Sequence, residues 1–398
     1  MLLNTIEMAP ADPILGLTDA FKADTNVAKI NLGVGVYQDA TGKTPTLESV
    51  KEAAKQVIAS ETTKSYLPIT GDPGYGAVVQ QMLFGDDHAI ITDKRAATAH
   101  TPGGTGALRV AGDFIHRKFP GATIWLSDPT WANHKAIFES ARVPVKTYAY
   151  LDAARTGLDF DAMTAGLANI APGDVVLLHA CCHNPTGVDP NIAQWKAIAE
   201  LIKTRGAFPL VDFAYQGFGD GLEEDAAGLR ALLDICPEVM ICSSFSKNFG
   251  LYRERVGAFT LVAADSNTLA KAVSHVKICI RTNYSNPPAH GAALVTTILN
   301  DASLQTQWEA ELTAMRARIN EMRQTFVKSL ADAGATRDYS FIASQRGMFS
   351  FSGLNPDQVR QLQADHAVYI VGSGRINVAG MTADNMDRLC KAIVAVGG

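Results

Sequence analysis

Several familiar features are scarce or missing in this chain. Its 398 residues include only six cysteines, two of them adjacent at Cys181 and Cys182. That is too few and too scattered for a disulfide framework, and it suits a reduced, cytoplasmic protein. Charged residues make up 19% and the net charge is −5, which argues against nucleic acid or an anionic membrane as the main partner. No apolar run approaches the length of a membrane span. The start, Met1-Leu2-Leu3-Asn4-Thr5-Ile6-Glu7, has neither the basic nor the apolar segment of a secretion signal. There is no internal repeat and no low-complexity tract. What is abundant is apolar: 47% of residues are hydrophobic, enough for a substantial core in a chain of two or three domains.

From about residue 95 to 262, short apolar runs alternate with amphipathic stretches. The runs include Ala122–Ser127, Asp174–Cys182, Ala207–Phe213, Glu238–Ser244 and Val256–Ala263. Between them, Thr105–Lys118 places Ala107, Leu108, Ala111, Phe114 and Ile115 on one helical stripe. Strand-helix alternation predicts an α/β domain whose mainly parallel sheet is covered on both faces. After about residue 300 the pattern changes. Ser303–Gly334 reads as one long helix, and Gly347–Ser352 and Arg375–Val378 read as strands of a smaller α+β unit. The N-terminal segment is expected to join that unit.

In an open parallel sheet, ligands bind beyond the C-terminal strand ends, and three expected strand ends deliver polar groups there. Lys247 follows one, in Ser243-Ser244-Phe245-Ser246-Lys247-Asn248, with Arg255 eight residues on. A lysine among small hydroxyl residues, close to an arginine, suits an amine that bonds an aldehyde cofactor bearing a phosphate; pyridoxal phosphate is such a cofactor. Asp212 closes another strand. A carboxylate there keeps a pyridine nitrogen protonated, and the protonated ring is the electron sink. Asn184 and Tyr215, past the strand ends, are placed to bond the ring's phenolic oxygen. Pro102-Gly103-Gly104-Thr105-Gly106-Ala107 opens the amphipathic helix, and backbone N–H groups at a helix start hold phosphate. Ser244 and Arg255 complete that cradle. Trp131, after a further strand, is placed to lie flat on the ring. Each of these features, taken singly, also has an ordinary structural reading as cap, turn or packed side chain.

His179-Ala180-Cys181-Cys182-His183 invites a metal reading. Neighbouring positions of a strand face opposite sides, so the two thiols are not expected to meet one ion, and no metal site is assigned. Arg281 and Arg375 are a different matter: arginine grips carboxylates bidentately, and a pair suits the two ends of a dicarboxylate.

Taken together the chain resembles the aspartate/aromatic branch of the class I aminotransferases, nearly end to end. The matching segments include Asn31-Leu32-Gly33-Val34-Gly35-Val36-Tyr37, Thr101–Arg109, Cys182-His183-Asn184-Pro185-Thr186-Gly187, Asp212–Phe218, Ser243–Gly250, Arg253–Gly257, Arg281–Pro288 and Ser373–Gly380. The resemblance implies fold type I of the pyridoxal-phosphate enzymes. It implies an arm over residues 1–11, a small domain over 12–44 and 316–398, and a large cofactor domain over 45–315. It makes Lys247 the lysine bonded to the cofactor and the proton carrier, and Asp212 the partner of the pyridine nitrogen. Tyr215 and Asn184 go to the phenolic oxygen. Gly103, Gly104, Thr105, Ser244 and Arg255 go to the phosphate, with Tyr66 of a neighbouring subunit. Trp131 stacks on the ring with His134 in support. Arg375, Asn184 and Gly35 take the substrate α-carboxylate, and the neighbour's Arg281 takes the distal one. A homodimer with shared sites follows from the same resemblance.

The activity so implied is ping-pong transfer of an amino group from aspartate or glutamate to a 2-oxo acid such as 2-oxoglutarate. Gln38 and Ser65 stand where strict aspartate enzymes of the family are expected to carry lysine and asparagine, so phenylalanine and tyrosine are expected substrates too. A strict aspartate enzyme, a decarboxylase or lyase using the same cofactor, and a non-catalytic ligand sensor are the competing readings. The sensor lacks the basic DNA-binding segment it would need.

Overall fold

The computed structural model describes residues 2–9 and 15–398. The expected arm therefore lies partly outside the described residues, at Met1, Pro10 and Ala11. Its described part carries exposed Leu3, Ile6 and Met8.

In chain order the strands are β1 (Ile30–Asn31), β2 (Ala96–Pro102), β3 (Ile124–Asp128), β4 (Val145–Ala149), β5 (Val175–His179), β6 (Phe208–Phe213), β7 (Val239–Ser244), β8 (Val256–Val262), β9 (Phe349–Phe351), β10 (Val368–Tyr369) and β11 (Arg375–Asn377). The chain divides into two compact units. One comprises Thr44–Ile319 with Gln345–Gly347; the other holds the N-terminal residues to Lys43 with Asn320–Ser344 and Met348–Gly398.

The larger unit is built on a seven-stranded sheet in the order β2-β8-β7-β6-β5-β3-β4. β8 pairs antiparallel with both β2 and β7, and the remaining pairs are parallel. All residues of β5, β7 and β8 are buried, as expected of strands covered on both faces. The helix Gly103–Lys118 buries Ala107, Leu108, Val110, Ala111, Phe114 and Ile115 and packs on β8 and β7. Every strand but β8 runs the same way, so Pro102, Asp128, His179, Asp212 and Ser244 all arrive at one edge. β2 carries no apolar run: Ala-Ala-Thr-Ala-His-Thr-Pro is made a strand by pairing along its whole length with β8.

The smaller unit has two two-stranded sheets, β1 with β10 (parallel) and β9 with β11 (antiparallel). Its largely apolar interior also encloses charged side chains. The fully buried Arg323 donates to the Phe349 carbonyl at 2.8 Å and to Ser350 Oγ. The Phe349 ring in turn lies 4.4 Å beneath the Arg375 guanidinium.

Candidate active site

The larger unit gathers most of the expected site residues at the C-terminal edge of its sheet. β5, β6 and β7 are in register there, with His179 opposite Asp212 and Asp212 opposite Cys242. The turn after β6 carries Tyr215 and the turn after β7 carries Lys247. Lys247 Nζ stands 4.7 Å over the Tyr215 ring, and Asn184 Nδ2 reaches the Tyr215 hydroxyl at 3.4 Å. Asp212, Asn184 and Tyr215 are all buried.

Asp212 Oδ2 lies 3.0 Å from His134 Nε2. An ionised carboxylate only accepts, so the proton sits on Nε2 of His134. His134 Nδ1 then accepts from the Thr130 hydroxyl at 2.8 Å, and Thr130 accepts from His179 Nε2 at 3.1 Å. Burial raises the Asp212 carboxyl. The His134 hydrogen bond, helped by the fields of His134, His179 and Lys247, outweighs it and holds the group below its usual value. His179, enclosed beside His134, is pushed down to about 3 and is neutral. Lys247 shifts the opposite way to an ordinary lysine pair: burial lowers it to about 8, with Asp212 resisting and Arg255 adding to the fall.

A second ring cluster sets the loop that carries Asn184. His183 stacks on Tyr150 with centroids 4.0 Å apart and meets the hydroxyls of Ser127 at 2.9 Å and Thr186 at 2.8 Å. Asp189 accepts from the backbone of Cys182 and His183 at 2.7 and 2.8 Å. Of these supporting groups, His134 was expected from the resemblance. Thr130, His179, His183 and Asp189 were not, although the strand-end position of His179 was a usable signal.

The cradle for an anion is formed by the start of the Gly103–Lys118 helix, Ser244 and Arg255. Gly103 has φ +74°, and a Cβ there would collide with the Arg255 guanidinium. Only glycine lets the arginine lie across this turn. A Cβ on Gly104 would come within 3.1 Å of Ser244 Cβ, and one on Gly257 would strike the Gly103 backbone. Arg255 is itself in the left-handed region, at φ +55°, with its guanidinium donating to the Tyr252 carbonyl at 3.1 Å and to Ser246 Oγ at 3.4 Å. A helix start, a hydroxyl and a guanidinium converging in this way suit a phosphate. With Lys247 and Asp212 on the same edge, the donor set fits pyridoxal phosphate.

Trp131 stands edge-on to His134, 5.2 Å between centroids. Tyr66 is 92% exposed. Arg281, also exposed, donates to Ser285. Neither belongs to the buried cluster. In the smaller unit, Arg375 is buried and donates to the Gly33 carbonyl at 2.6 Å. Asn377 holds the adjoining turn through the carbonyls of Val34 and Val36, at 2.7 and 2.8 Å. Gly35 faces the Phe349 ring, which a Cβ would meet at 3.0 Å.

The alternation argument against a shared thiol site does not hold as drawn. β5 ends at His179, and Cys182 adopts φ +51°. The two sulfurs and a carboxylate oxygen of Asp225 therefore come within 4.8 Å of one another. The Asp225 oxygens already accept backbone N–H groups from Gly217, Gly219 and Asp220. Burial pushes the Cys181 thiol well up, so that sulfur is held as a protonated thiol.

The family model of aminotransferase class I and II matches residues 27–393. An aspartate aminotransferase of Salmonella typhi is 58% identical over 395 residues, 99% of this chain and 100% of that protein. An aromatic-amino-acid aminotransferase of Pseudomonas aeruginosa is 48% identical over 391 residues, 98% of each. Among solved structures, the aromatic-amino-acid aminotransferase from Burkholderia pseudomallei covalently bound to pyridoxal phosphate superposes with a TM-score of 0.97 at 47% identity, covering 100% of both chains. The chain thus belongs to the class I and II aminotransferases and is a pyridoxal-phosphate-dependent transaminase.

Proposed function

We propose that this transaminase moves the amino group of aspartate and glutamate, and also of phenylalanine and tyrosine, to a 2-oxo acid such as 2-oxoglutarate in a ping-pong cycle. The observation that carries the chemistry is the placement of a partly buried Lys247, lowered to about 8, on the same sheet edge as an ionised Asp212. The names of the relatives, aspartate aminotransferase for one and aromatic-amino-acid aminotransferase for another, support the double substrate range.

Pyridoxal phosphate, when bound, supplies an aldehyde that takes up the substrate amine and a ring that accepts the electron pair left by the α-proton. The protein's part is positional and protonic. Lys247 is assigned to hold the cofactor at rest, and then to take the substrate α-proton and deliver it to the cofactor carbon that carries the aldehyde. An amine near 8 is suited to both, because a proton carrier works best near the operating pH. Asp212, kept anionic by His134, opposes the ring nitrogen. Asn184 and Tyr215 are assigned to the phenolic oxygen and Trp131 to the ring face. Gly103, Gly104, Thr105, Ser244 and Arg255 are assigned to the phosphate. Arg375, with Asn184 and the Gly35 backbone, is assigned to the α-carboxylate.

Tyr66 and Arg281 are proposed to complete the site of a second copy of the chain, Tyr66 at the phosphate and Arg281 at the distal carboxylate. Their exposure and that of Leu3, Ile6 and Met8 support a homodimer clasped by the arm. Residues 45–315 are read as the cofactor domain and 12–44 with 316–398 as the small domain. The six cysteines are buried and none forms a disulfide, which suits a reducing cytoplasm. Among the described residues no helix is long and apolar enough to cross a membrane.

Steady-state kcat/KM for aspartate, glutamate, phenylalanine and tyrosine, each with 2-oxoglutarate, tests the reading. Turnover of all four is expected. Absence of aromatic turnover reduces it to a strict dicarboxylate enzyme, and release of carbon dioxide or ammonia in place of amine transfer overturns it.

A further inference from the structure

Asn184 is assigned both to the phenolic oxygen of the cofactor and to the α-carboxylate of the substrate, so its direction matters twice. It sits in the segment 180–189 that leaves β5 and belongs to no strand. The backbone N–H groups there need partners other than a neighbouring strand. Two of them, on Cys182 and His183, go to one side chain, the carboxylate of Asp189. Oδ2 accepts from Cys182 at 2.7 Å and Oδ1 from His183 at 2.8 Å.

Cys182 lies in the left-handed region, at φ +51°. A residue with a side chain stays there only where its surroundings hold it. Successive N–H groups at such a turn form a concavity that binds an anion, and here the chain fills it with its own carboxylate. Burial pushes Asp189 up to about 6, against the hydrogen bonds from His183 and Cys182; Asp225 adds to the rise and Arg346 opposes it. At neutral pH the group is therefore ionised and only accepts, which makes both bonds charge-assisted.

The same turn is closed from its other side. A Cβ on Gly347 would strike Cys182 Cβ, and the Arg346 N–H donates to the Gly187 carbonyl at 2.8 Å. One residue along, His183 is met at both ring nitrogens, by Ser127 and by Thr186. Asn184 follows directly, with Nδ2 3.4 Å from the Tyr215 hydroxyl. The two residues that precede Asn184 are thus fixed, and the carboxylate of Asp189 is what their backbone is fixed to.

We propose that Asp189 is a positioning residue of the transaminase: by holding Cys182 and His183 it aims the Asn184 amide at the Tyr215 hydroxyl and at the groups assigned to Asn184. The proposal rests on that assignment of Asn184. It carries a consequence for specificity. The phenolic oxygen belongs to the cofactor and the α-carboxylate to every amino acid, so a misdirected Asn184 penalises aspartate and phenylalanine alike. A group that reads the substrate side chain would separate them.

A cycle of Asp189→Asn, Asn184→Ala and the double variant, measured on the holoenzymes, tests this. Asp189→Asn turns one acceptor oxygen into an N–H that faces a backbone donor. Its kcat/KM is expected to fall between about tenfold and 10²-fold, as for a small misplacement, equally for aspartate and phenylalanine. Asn184→Ala is expected to lose at least as much, and the double variant no more than Asn184→Ala, because the two residues act as one unit. A visible-absorbance titration of the bound cofactor is expected to show the same order, with both single variants shifting its spectral pKa in one direction. Should Asp189→Asn not fold, Asp189→Ser, which keeps one acceptor and adds no facing N–H, takes its place in the cycle. Losses that multiply in the double variant, a fall confined to one substrate, or wild-type rates and spectrum in the Asp189 variant overturn the proposal and leave the assignment of Asn184 standing. Wild-type rates and spectrum in Asn184→Ala overturn that assignment and the proposal with it.

Discussion

His134 and Asp212 are buried together, with Nε2 of the imidazole 3.0 Å from Oδ2 of the carboxylate. The pair joins a strand to a helix, since Asp212 is the penultimate residue of β6 and His134 lies in the first turn of the helix Asn133–Ser140. It makes Asp212 a fixed anion in a place where burial alone would protonate it. The proton order through Thr130 to His179 follows from that charge.

Removing the imidazole therefore reaches the carboxylate. His134→Ala takes away the hydrogen bond that outweighs burial, so the Asp212 pKa rises. The acid limb of the kcat/KM profile is expected to move to higher pH, with kcat at neutral pH falling about 10²–10³-fold, as when one preorganised electrostatic group is lost. A pH profile of the variant checks this. An acid limb in its wild-type position contradicts the assigned role.

Lys247 has the reverse linkage. Its folded pKa, about 8, lies below the usual 10.5, so between these values the unfolded chain binds the extra proton. Stability of the cofactor-free protein is expected to rise as pH climbs from about 8 to 10.5, and the penalty is largest below 8. Lys247→Met is expected to raise the apoprotein Tm at pH 7, with the gap closing towards pH 10.5. A pH-independent gap rules this out. The same variant should lose nearly all transamination.

The turn at Gly103 is a test of phosphate recognition. Gly103→Ala places a methyl against the Arg255 guanidinium at φ +74°, a conformation costing about 1–2 kcal/mol for a non-glycine residue. Affinity for pyridoxal phosphate is expected to fall by tenfold or more, while affinity for phosphate-free pyridoxal changes little. Equilibrium titration of the apoprotein with both compounds distinguishes the two. Equal losses would place the phosphate elsewhere.

Arg281→Asp tests how the side chain is read. An attractive partner becomes a repulsive one for dicarboxylates, so kcat/KM for aspartate is expected to drop by two orders of magnitude or more (~3 kcal/mol, about the strength of one hydrogen bond to a charged group). Phenylalanine turnover should be nearly unaffected. Parallel losses for both classes show that Arg281 does not touch the distal group.

Much of this protein is written in local pattern. Buried strands such as Val-Val-Leu-Leu-His and Val-Gly-Ala-Phe-Thr-Leu-Val announce themselves because a strand covered on both faces must be apolar throughout. The helix Gly103–Lys118 shows in its stripe, and the helix Ala302–Asp332 lies within two residues of the expected Ser303–Gly334. Lys247, Asp212 and Gly103 could be picked out because each lies at or just past the C-terminal end of a strand, and those ends share an edge.

The remainder had no local signature. β2 is a strand because β8 pairs with it, and the antiparallel direction of β8 is set by the chain's return from Ser244 to Val256. Cys181 and Cys182 come together through one left-handed residue that alternation does not foresee. The order Asp212, His134, Thr130, His179 joins three segments far apart in the chain, and hydrogen bonds between them exist only once the strands are in register. Residue type and spacing determined which groups were available for chemistry. Tertiary structure decided their charge states, because desolvation and a partner at 3 Å are properties of the packed interior and of no segment alone.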